Sequence, residues 1–181
     1  MERCNWPGLI NNPLYQEYHD TEWGVESHED RYLFEMLVLE SFHCGLSWYI
    51  ILKKRESFRL AFDQFDPHII KEYQESKMNE LLNNQDIVRH KGKILATIQN
   101  AKSFLEVQKE FGSFDTYIWS FTNHKVIKNK DDQFVTKNEL SDRVAKDLKK
   151  RGFKFLGSVT VYSYLEAIGV LDNHQKNCFR Y

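Results

Sequence analysis

Two cysteines and two histidines lie near opposite ends of the chain and could bind one metal ion. His174 and Cys178 are four positions apart, so one helical turn would place both side chains on the same face. Cys4 and His19, near the other end, bring the number of candidate ligands to four. Two thiolates and two imidazoles suit tetrahedral zinc, and a complete set leaves no open position for a reactive water. The pattern predicts one structural zinc ion per chain, and a Cys4–Cys178 disulfide is the alternative.

A glutamate interrupts the apolar face of a predicted helix. The run EDRYLFEMLVLESFHC between Glu29 and Cys44 has helical spacing, and one face carries Leu33, Met36, Leu37, Glu40 and Cys44. An ionised carboxylate is costly to desolvate without a partner, so Glu40 has a salt bridge, a structural hydrogen bond or a ligand. The following GLSW turns the chain at Gly45 and begins a helix with Trp48 in its first turn. This indole could lie near Glu40 or belong to an ordinary core.

Aromatic residues are dense near the beginning of the chain. They are Trp6, Tyr15, Tyr18 and Trp23, and they lie close in sequence to two of the candidate metal ligands. Their rings are flat and amphipathic. Together with a buried carboxylate, such rings suit an electron-poor or cationic heteroaromatic ligand.

A basic turn is predicted in the middle of the chain. The segment ELLNNQDIVRHKGKILATI indicates a helix, a short turn with Gly92 at its tight part, and a second helix; the basic residues beside the glycine are Arg89, His90, Lys91 and Lys93. Free backbone N–H groups and the positive end of the second helix could bind a phosphate of nucleic acid. An ordinary solvated turn is the alternative.

Two further basic groups could extend this surface or could simply be soluble helix faces. They are Lys53-Lys54-Arg55 and Lys149-Lys150-Arg151 with Lys154. The chain has 25 Lys and Arg against 26 Asp and Glu, a formal net charge of -1, so it has no global basic field. Positive charge for a nucleic-acid partner must therefore be local.

Long helices are the elements that must position these residues. Only three prolines and eight glycines interrupt 181 residues, of which 41% are hydrophobic, and this favours a single mainly helical domain over residues 1–181. Apolar residues Ile94, Ile98, Ala101 and Leu105 recur at helical spacing and predict a helix from about Lys91 to Phe111, ended by Gly112.

Shorter elements are predicted from end signals. Asp66 and Pro67 open a short helix over HIIKEY, and the basic residues before Gly152 complement the end of another helix. The polar segment from Lys125 to Asn138, with NKDDQ at its centre, is predicted to be an exposed loop.

The sequence lacks any run approaching the ~20 apolar residues of a membrane-spanning helix. The first residues, MERCNWPG, do not have the basic-then-apolar order of a secretory signal. We therefore expect a cytoplasmic protein that does not engage a membrane.

Eight blocks span nearly the whole chain: MERCNW, NPLYQEYHDTEWG, LFEMLVLESFHCGLSW, ILKKRE, IVRHKGKI, YIWSFTNH, LKKRGFKFLG and DNHQKNC. Together, in this order, they resemble the 3-methyladenine DNA glycosylase I family. The resemblance implies an all-α, two-lobed helix-hairpin-helix glycosylase fold with a zinc site joining the N- and C-termini. The implied activity is base-excision repair, in which the N-glycosidic bond of 3-methyladenine in double-stranded DNA is hydrolysed without strand cleavage.

The resemblance also implies residue roles. Cys4, His19, His174 and Cys178 match the family's zinc ligands. Glu40, which we expect to be the catalytic residue, matches a position in the pocket that recognises the methylated base. The matching base-binding positions are Tyr18 and Trp48, with Trp6, Tyr15 and Trp23 nearby. The IVRHKGKI block matches the family's DNA-binding hairpin, which implies DNA contacts at Arg89, His90, Lys91, Gly92 and Lys93. We also expect Gly45 and Leu46 of the GLSW block to contact DNA. We expect Trp48 to stack on the extruded base, and Glu40 and Tyr18 to hydrogen-bond to it.

The sequence departs from the family pattern in one block. At Ser41, Phe42, His43 and Cys44 the family usually shows more glutamine and small residues, and Phe42 is bulkier and apolar. Two other functions remain as alternatives: a binder of damaged DNA without catalysis, and a zinc-dependent regulatory protein. A monomer is expected.

Overall fold

Helices make up most of the structure, a computed structural model that describes residues 2–128 and 134–181. Within these ranges the helices are α1 (Pro13–Thr21), α2 (Asp30–His43), α3 (Trp48–Ala61), α4 (Pro67–Ile70), α5 (Glu75–Asn83), α6 (Lys91–Phe111), α7 (Phe114–Ser120), α8 (Glu139–Lys150) and α9 (Ser158–Ala167). A tight left-handed turn at Asp63–Phe65, with φ angles of 48°, 56° and 54°, follows α3. The prediction of a mainly helical protein is confirmed.

Two short strands correct the all-helical prediction. Strand β1 (Ile127–Lys128) pairs in parallel with β2 (Leu171–Asp172). A strand of two residues is too short to show an alternating pattern, so sequence periodicity could not reveal it. The predicted loop from Lys125 to Asn138 is therefore wrong at β1, and its centre, residues 129–133, lies outside the described residues.

The helix ends follow their predicted caps. Helix α6 has the predicted bounds and ends at Gly112, whose φ is 87°. The Asp66 carboxylate accepts a hydrogen bond from the backbone N–H of His68 and caps α4. That helix ends at Ile70 and does not continue through HIIKEY as predicted. A turn at residues 71–74 then leads into α5.

Helix α2 lies at the centre of the molecule and packs against α3, α6, α7 and α9. Its residues from Leu33 to Phe42 are all buried, so the expected single apolar stripe is wrong. Cys44, expected on that stripe, is exposed at the helix end. Phe42 packs against Phe58 at 4.9 Å between ring centroids, which explains how the core accommodates this departure from the family pattern.

A buried ion network joins α3 to the two helices before it. Arg55 donates to Glu35 of α2 (2.5 Å) and to Glu22 at the end of α1 (2.7 Å), and Arg59 also pairs with Glu35 (2.8 Å). Both charges of a buried pair need partners, since a lone buried ion is strongly unfavourable. Arg55 is therefore part of the interior and not of a basic surface.

The two ends of the chain lie side by side. The backbone N–H of Phe179 donates to the carbonyl of Glu2 (2.9 Å), and that of Asn5 donates to the Gln175 side chain (2.7 Å). Among the described helices, none is long and apolar enough to cross a membrane. The meeting of the ends brings together the histidines and cysteines that are far apart in sequence.

Candidate functional site

Three of the four predicted zinc ligands form a buried cluster. The ligand atoms of Cys4, His19 and Cys178 lie within 4.8 Å of one another, and the Cys178 Sγ is 3.6 Å from His19 Nε2. The cysteines are free, so the alternative Cys4–Cys178 disulfide is not formed. Two sulfur atoms and an imidazole nitrogen in this arrangement could hold a metal ion.

The fourth predicted ligand, His174, lies at the edge of this cluster. Its ring is 5.1 Å from that of His19, in an edge-to-face arrangement. Its Nε2 is buried and has no hydrogen-bond partner. A buried nitrogen without a partner is unfavourable and calls for a ligand, so the residues present fit a metal ion bound at this place.

Both histidines are oriented by carboxylates that the sequence analysis did not single out. His19 Nδ1 pairs with Asp20 (2.8 Å), and His174 Nδ1 pairs with Asp172 (2.7 Å). A carboxylate on one ring nitrogen leaves the lone pair of the other nitrogen for a metal, as is usual in zinc proteins. The clue in the sequence was the position of each aspartate, one or two residues from its histidine.

The predicted base-binding aromatics divide into two groups. Trp6 and Trp23 pack edge to face at 4.4 Å, and both contact the rings of the metal cluster: Trp6 lies 5.1 Å from His19, and Trp23 lies 4.7 Å from His174. Tyr15 contacts Trp6 at 6.3 Å. The two tryptophans thus pack against the histidines of the cluster, and Tyr15 packs against Trp6.

A second group surrounds Glu40 between helices α1, α2 and α3. Tyr18 and Trp48 are buried, with ring centroids 5.5 Å apart. His43, one turn after Glu40 on α2, donates from Nδ1 to Glu40 Oε2 (3.0 Å) and lies edge-on to Trp48 at 5.3 Å. Trp48 Nε1 is buried without a hydrogen-bond partner, which leaves a free donor on this ring. The structure therefore brings Glu40, Tyr18 and Trp48 together.

The electrostatics of this group favour a cationic or hydrogen-bonding ligand. Burial raises the pKa of Glu40, and its hydrogen bond from His43 opposes that rise. Burial and then the nearby Glu40 charge raise the pKa of Tyr18, so its phenol stays protonated at neutral pH. A carboxylate that accepts and a phenol and an indole that donate can together recognise the polar edge of a heteroaromatic ring.

A cavity of about 350 Å³ opens beside Trp6 and Trp23, and its lining does not include Glu40, Tyr18 or Trp48. Trp6, Trp23 and Tyr162 form part of its wall together with Glu166 of α9. Burial raises the pKa of Glu166 to about 8, a hydrogen bond from Asn173 opposes the rise, and the Glu40 charge adds to it. Glu166 is a partly buried carboxyl group that the sequence analysis missed; like Glu40 it interrupts an apolar helix, and that signal could have found it.

The two predicted DNA-binding segments lie next to each other. The turn between α2 and α3 contains Gly45, with φ of 87°, and the exposed Leu46. Lys93, in the first turn of α6, donates from Nζ to the carbonyls of Phe42 (2.9 Å) and Cys44 (2.8 Å). Its ammonium group is thus buried against the end of α2 and is not at the surface expected from the sequence.

The hairpin differs in detail from its predicted form. Residues 84–90 connect α5 to α6, so the turn is longer than expected, and Gly92 lies inside the first turn of α6. His90 caps α6 by accepting a hydrogen bond from the backbone N–H of Lys93 (3.2 Å). A Cβ on Gly92 would lie 3.1 Å from the His90 ring, so the glycine leaves room for this cap. Arg89, His90 and Lys91 are exposed.

The other basic groups are only partly available. Arg151 pairs with Glu110 and Asp147, both at 2.7 Å. Lys149, Lys150 and Lys154 are exposed, as is Lys53. Arg55 and Arg151 are therefore neutralised within the structure, and lysines carry the open positive charge of these groups.

By fold and site, the protein is a mainly helical domain in which a thiol and imidazole cluster joins the termini beside a buried, aromatic-lined carboxylate. A family model described as methyladenine glycosylase matches residues 7–181. The chain belongs to the methyladenine glycosylase family.

Individual relatives agree with this assignment over nearly their full length. DNA-3-methyladenine glycosylase 1 of Escherichia coli (strain K12) is 41% identical over 184 residues, covering 100% of this chain and 97% of the relative. A crystal structure of 3-methyladenine DNA glycosylase I is 44% identical, with a TM-score of 0.93 and 98% of each chain covered. The Staphylococcus aureus 3-methyladenine DNA glycosylase I, solved for its recognition of 3-methyladenine, is 38% identical, with a TM-score of 0.90 and 94% and 92% coverage.

Proposed function

We propose that the protein is a DNA repair glycosylase that hydrolyses the N-glycosidic bond of 3-methyladenine in double-stranded DNA. The products are the free base and an abasic site. The observation that carries this proposal is the buried group in which the Glu40 carboxylate faces Tyr18 and Trp48, in a chain of the methyladenine glycosylase family. The resemblance to a protein solved for its recognition of 3-methyladenine supports the same ligand.

The chemistry of the substrate matches this group. A 3-methylated adenine in DNA carries a positive charge, so its bond to the sugar is already weakened. When that bond breaks, its electron pair neutralises the base, water adds to the sugar carbon, and a proton is released to solvent. A strong general acid is therefore unnecessary, and the main task is to select the alkylated base after it is flipped out of the duplex.

Each residue has a role in this selection. Trp48 stacks on the base. Its buried Nε1 has no hydrogen-bond partner and is free to donate a hydrogen bond. Glu40 accepts hydrogen bonds from the adenine edge, and its negative charge also favours the oxocarbenium-like sugar. Tyr18, held protonated by its burial, donates from its phenol. A cationic base compensates for the cost of the buried carboxylate, whereas an ordinary neutral adenine does not.

DNA contacts are proposed for the two adjacent segments. Leu46 projects from the turn between α2 and α3, and Arg89, His90 and Lys91 flank the N-terminus of α6. Backbone N–H groups and the helix dipole at that end attract a phosphate. The Lys93 bonds to the carbonyls of α2 hold both segments in one arrangement, so the hairpin grips the backbone while the turn inserts near the flipped base.

The cluster at the termini is proposed to bind one structural zinc ion through Cys4, His19, His174 and Cys178. The orphaned Nε2 of His174 and the two carboxylates that orient the histidines support this donor set. Zinc bound by four protein ligands would stabilise the fold and would not activate water.

A direct assay tests the activity. Purified protein is incubated with methylated duplex DNA, and free 3-methyladenine and alkali-labile abasic sites are measured. We expect both products in equal amounts. DNA binding without release of the base, even with excess protein, would instead favour a non-catalytic binder of damaged DNA.

Residue variants test the pocket. Glu40→Gln and Trp48→Ala should lose most of the excision while keeping the helical circular dichroism spectrum. Glu106→Gln, at an exposed position on α6, is the matched control and should retain full activity. Equal activity of Glu40→Gln and the control would refute the assignment of the pocket.

A further inference from the structure

His43 touches both principal residues of the proposed base pocket. Its Nδ1 lies 3.0 Å from Glu40 Oε2, and its ring lies edge-on to Trp48 at 5.3 Å. The side chain of His43 is 30% exposed, whereas that of Glu40 is 4% exposed. An imidazole at the surface thus reaches a carboxylate in the interior.

We propose that His43 is a positioning residue that fixes the Glu40 carboxylate and keeps it ionised for recognition of the base. The hydrogen bond holds Oε2, so the other oxygen, Oε1, is presented to the ligand in one orientation. This inference deepens the proposed function, since it rests on Glu40 as the group that accepts hydrogen bonds from the base.

The spacing of the pair gives it a defined geometry. His43 follows Glu40 by three positions on α2, and residues at this spacing face each other on a helix. The edge of the imidazole against the Trp48 ring limits its rotation. The same imidazole therefore orients the hydrogen-bond acceptor and contacts the stacking ring.

The other ionisable groups around Glu40 do not replace His43. From α1, Tyr15 and Tyr18 face it, and burial raises the pKa of both phenols, so they are uncharged at neutral pH. From α9, Glu166 faces it, and with a pKa raised to about 8 it is mostly protonated there. From α6, the Lys93 ammonium is bound to the carbonyls of residues 42 and 44. His43 is the partner that directly bonds to Glu40 within the described part of the chain.

Loss of His43 should therefore act through the charge of Glu40. Without its partner, a buried carboxylate takes up a proton more readily, because desolvation disfavours the ionised form. A protonated Glu40 loses one acceptor site and its attraction for a cationic base. The defect should be greatest at low pH and smaller at high pH, where even an unpaired carboxyl group ionises.

The variants are His43→Ala and His43→Gln, with His68→Gln as the control. Glutamine keeps an N–H donor but carries no charge, and His68 is an exposed histidine on α4 outside the pocket. Excision of 3-methyladenine from methylated duplex DNA is measured from pH 6 to pH 9. We expect His43→Ala to lose about tenfold more activity at pH 6 than at pH 9, the effect of one charge-assisted hydrogen bond on ionisation. His43→Gln should show a smaller loss, and the control should match the unmodified protein.

A second measurement needs no catalysis. The Glu40 carboxyl group is followed by carbon-13 NMR in protein labelled at glutamate, with Glu40→Gln used to assign the resonance. Its titration midpoint should move to higher pH in His43→Ala. If the unmodified protein excises no base but this midpoint still moves, the proposed function fails and the positioning role stands. An unchanged midpoint, or an activity loss equal at every pH, would overturn the positioning role.

Discussion

Replacing Lys93 by methionine separates a structural role from a DNA-binding one. The sequence places this lysine among the basic residues of a hairpin, whereas the structure buries its ammonium group on the carbonyls of Phe42 and Cys44. Methionine keeps the length and the apolar stem of the side chain but removes the charge and the donors. The variant should therefore loosen the turn between α2 and α3 and leave the charge presented to DNA almost unchanged.

The expected loss of stability follows from these two bonds. A hydrogen bond to a charged group contributes about 1.5–3 kcal/mol, and part of this is recovered because the variant no longer buries an ammonium group. Because the loss of the two bonds outweighs this recovery, we expect the free energy of unfolding to fall by about 2–3 kcal/mol. For a chain of this size, each kcal/mol lowers Tm by about 2–4 °C, so Tm should fall by about 4–12 °C.

Two assays and one control complete the test. Thermal unfolding gives the stability, and duplex binding at several salt concentrations gives the number of phosphates contacted. Lys91→Met, at an exposed position two residues away, should keep the Tm and reduce the salt slope by about 0.9 if Lys91 contacts a phosphate. Lys93→Met should show the opposite pattern. An unchanged Tm together with a reduced salt slope for Lys93→Met would refute this reasoning.

Three further variants test other parts of the structure. Cys178→Ser should lower the zinc content, measured by elemental analysis, and the Tm, and activity should fall as a consequence. The control Cys44→Ser, at an exposed cysteine, should change neither zinc content nor Tm. Full zinc occupancy and normal melting in Cys178→Ser would contradict the metal site. Gly169→Ala should destabilise the protein by about 3 kcal/mol or more in denaturant unfolding, because φ is 76° and a Cβ would lie 2.2 Å from the backbone of the segment after α1. Gly157→Ala, where a Cβ meets nothing within 4 Å, should change stability by about 0.5 kcal/mol or less, and equal effects of the two would exclude the steric explanation. Glu166→Gln should remove a pH dependence of stability. A carboxyl group whose pKa in the folded protein is raised to about 8 stabilises the fold at low pH and loses that contribution as the pH rises toward 8, so the Tm of the variant should rise relative to that of the unmodified protein over this range. A Tm difference that is the same at every pH would contradict this role of Glu166.

The helices could be predicted because the residues that determine them lie within each helix or directly beside its ends. Periodic apolar residues and a terminal glycine predict both ends of α6, whereas the acid and proline predict where α4 begins but not where it ends. The parallel pairing of β1 with β2 depends on a contact between residues more than 40 positions apart and on two residues per strand. The complete burial of α2 also escaped prediction, because a helix covered on every side no longer shows the amphipathic period.

The parts of the candidate site that could be predicted contain residues of an unusual type or in an unusual position, and the parts that could not contain residues with ordinary sequence surroundings. Cysteine and histidine near both ends suggested a metal cluster, and Glu40 in an apolar helix suggested a buried site. The bond from His43 to Glu40 could also have been found, since the two are three positions apart on a predicted helix. The destination of Lys93 could not, because nothing in its local sequence distinguishes a lysine that binds carbonyls some 50 residues away from one in solvent.

The meeting of the chain ends has a consequence for biosynthesis. Translation runs from the N-terminus to the C-terminus, so Cys4 and His19 are made before helices α2 to α9, while His174 and Cys178 are made after every described helix. The cluster of Cys4, His19 and Cys178 cannot form until the last of these residues has been made, and Trp23 lacks its contact with His174 until then. The cluster is thus completed only after the described helices have been made, and a chain interrupted before His174 would have those helices but would leave Cys4 and His19 without the side chains that pack against them.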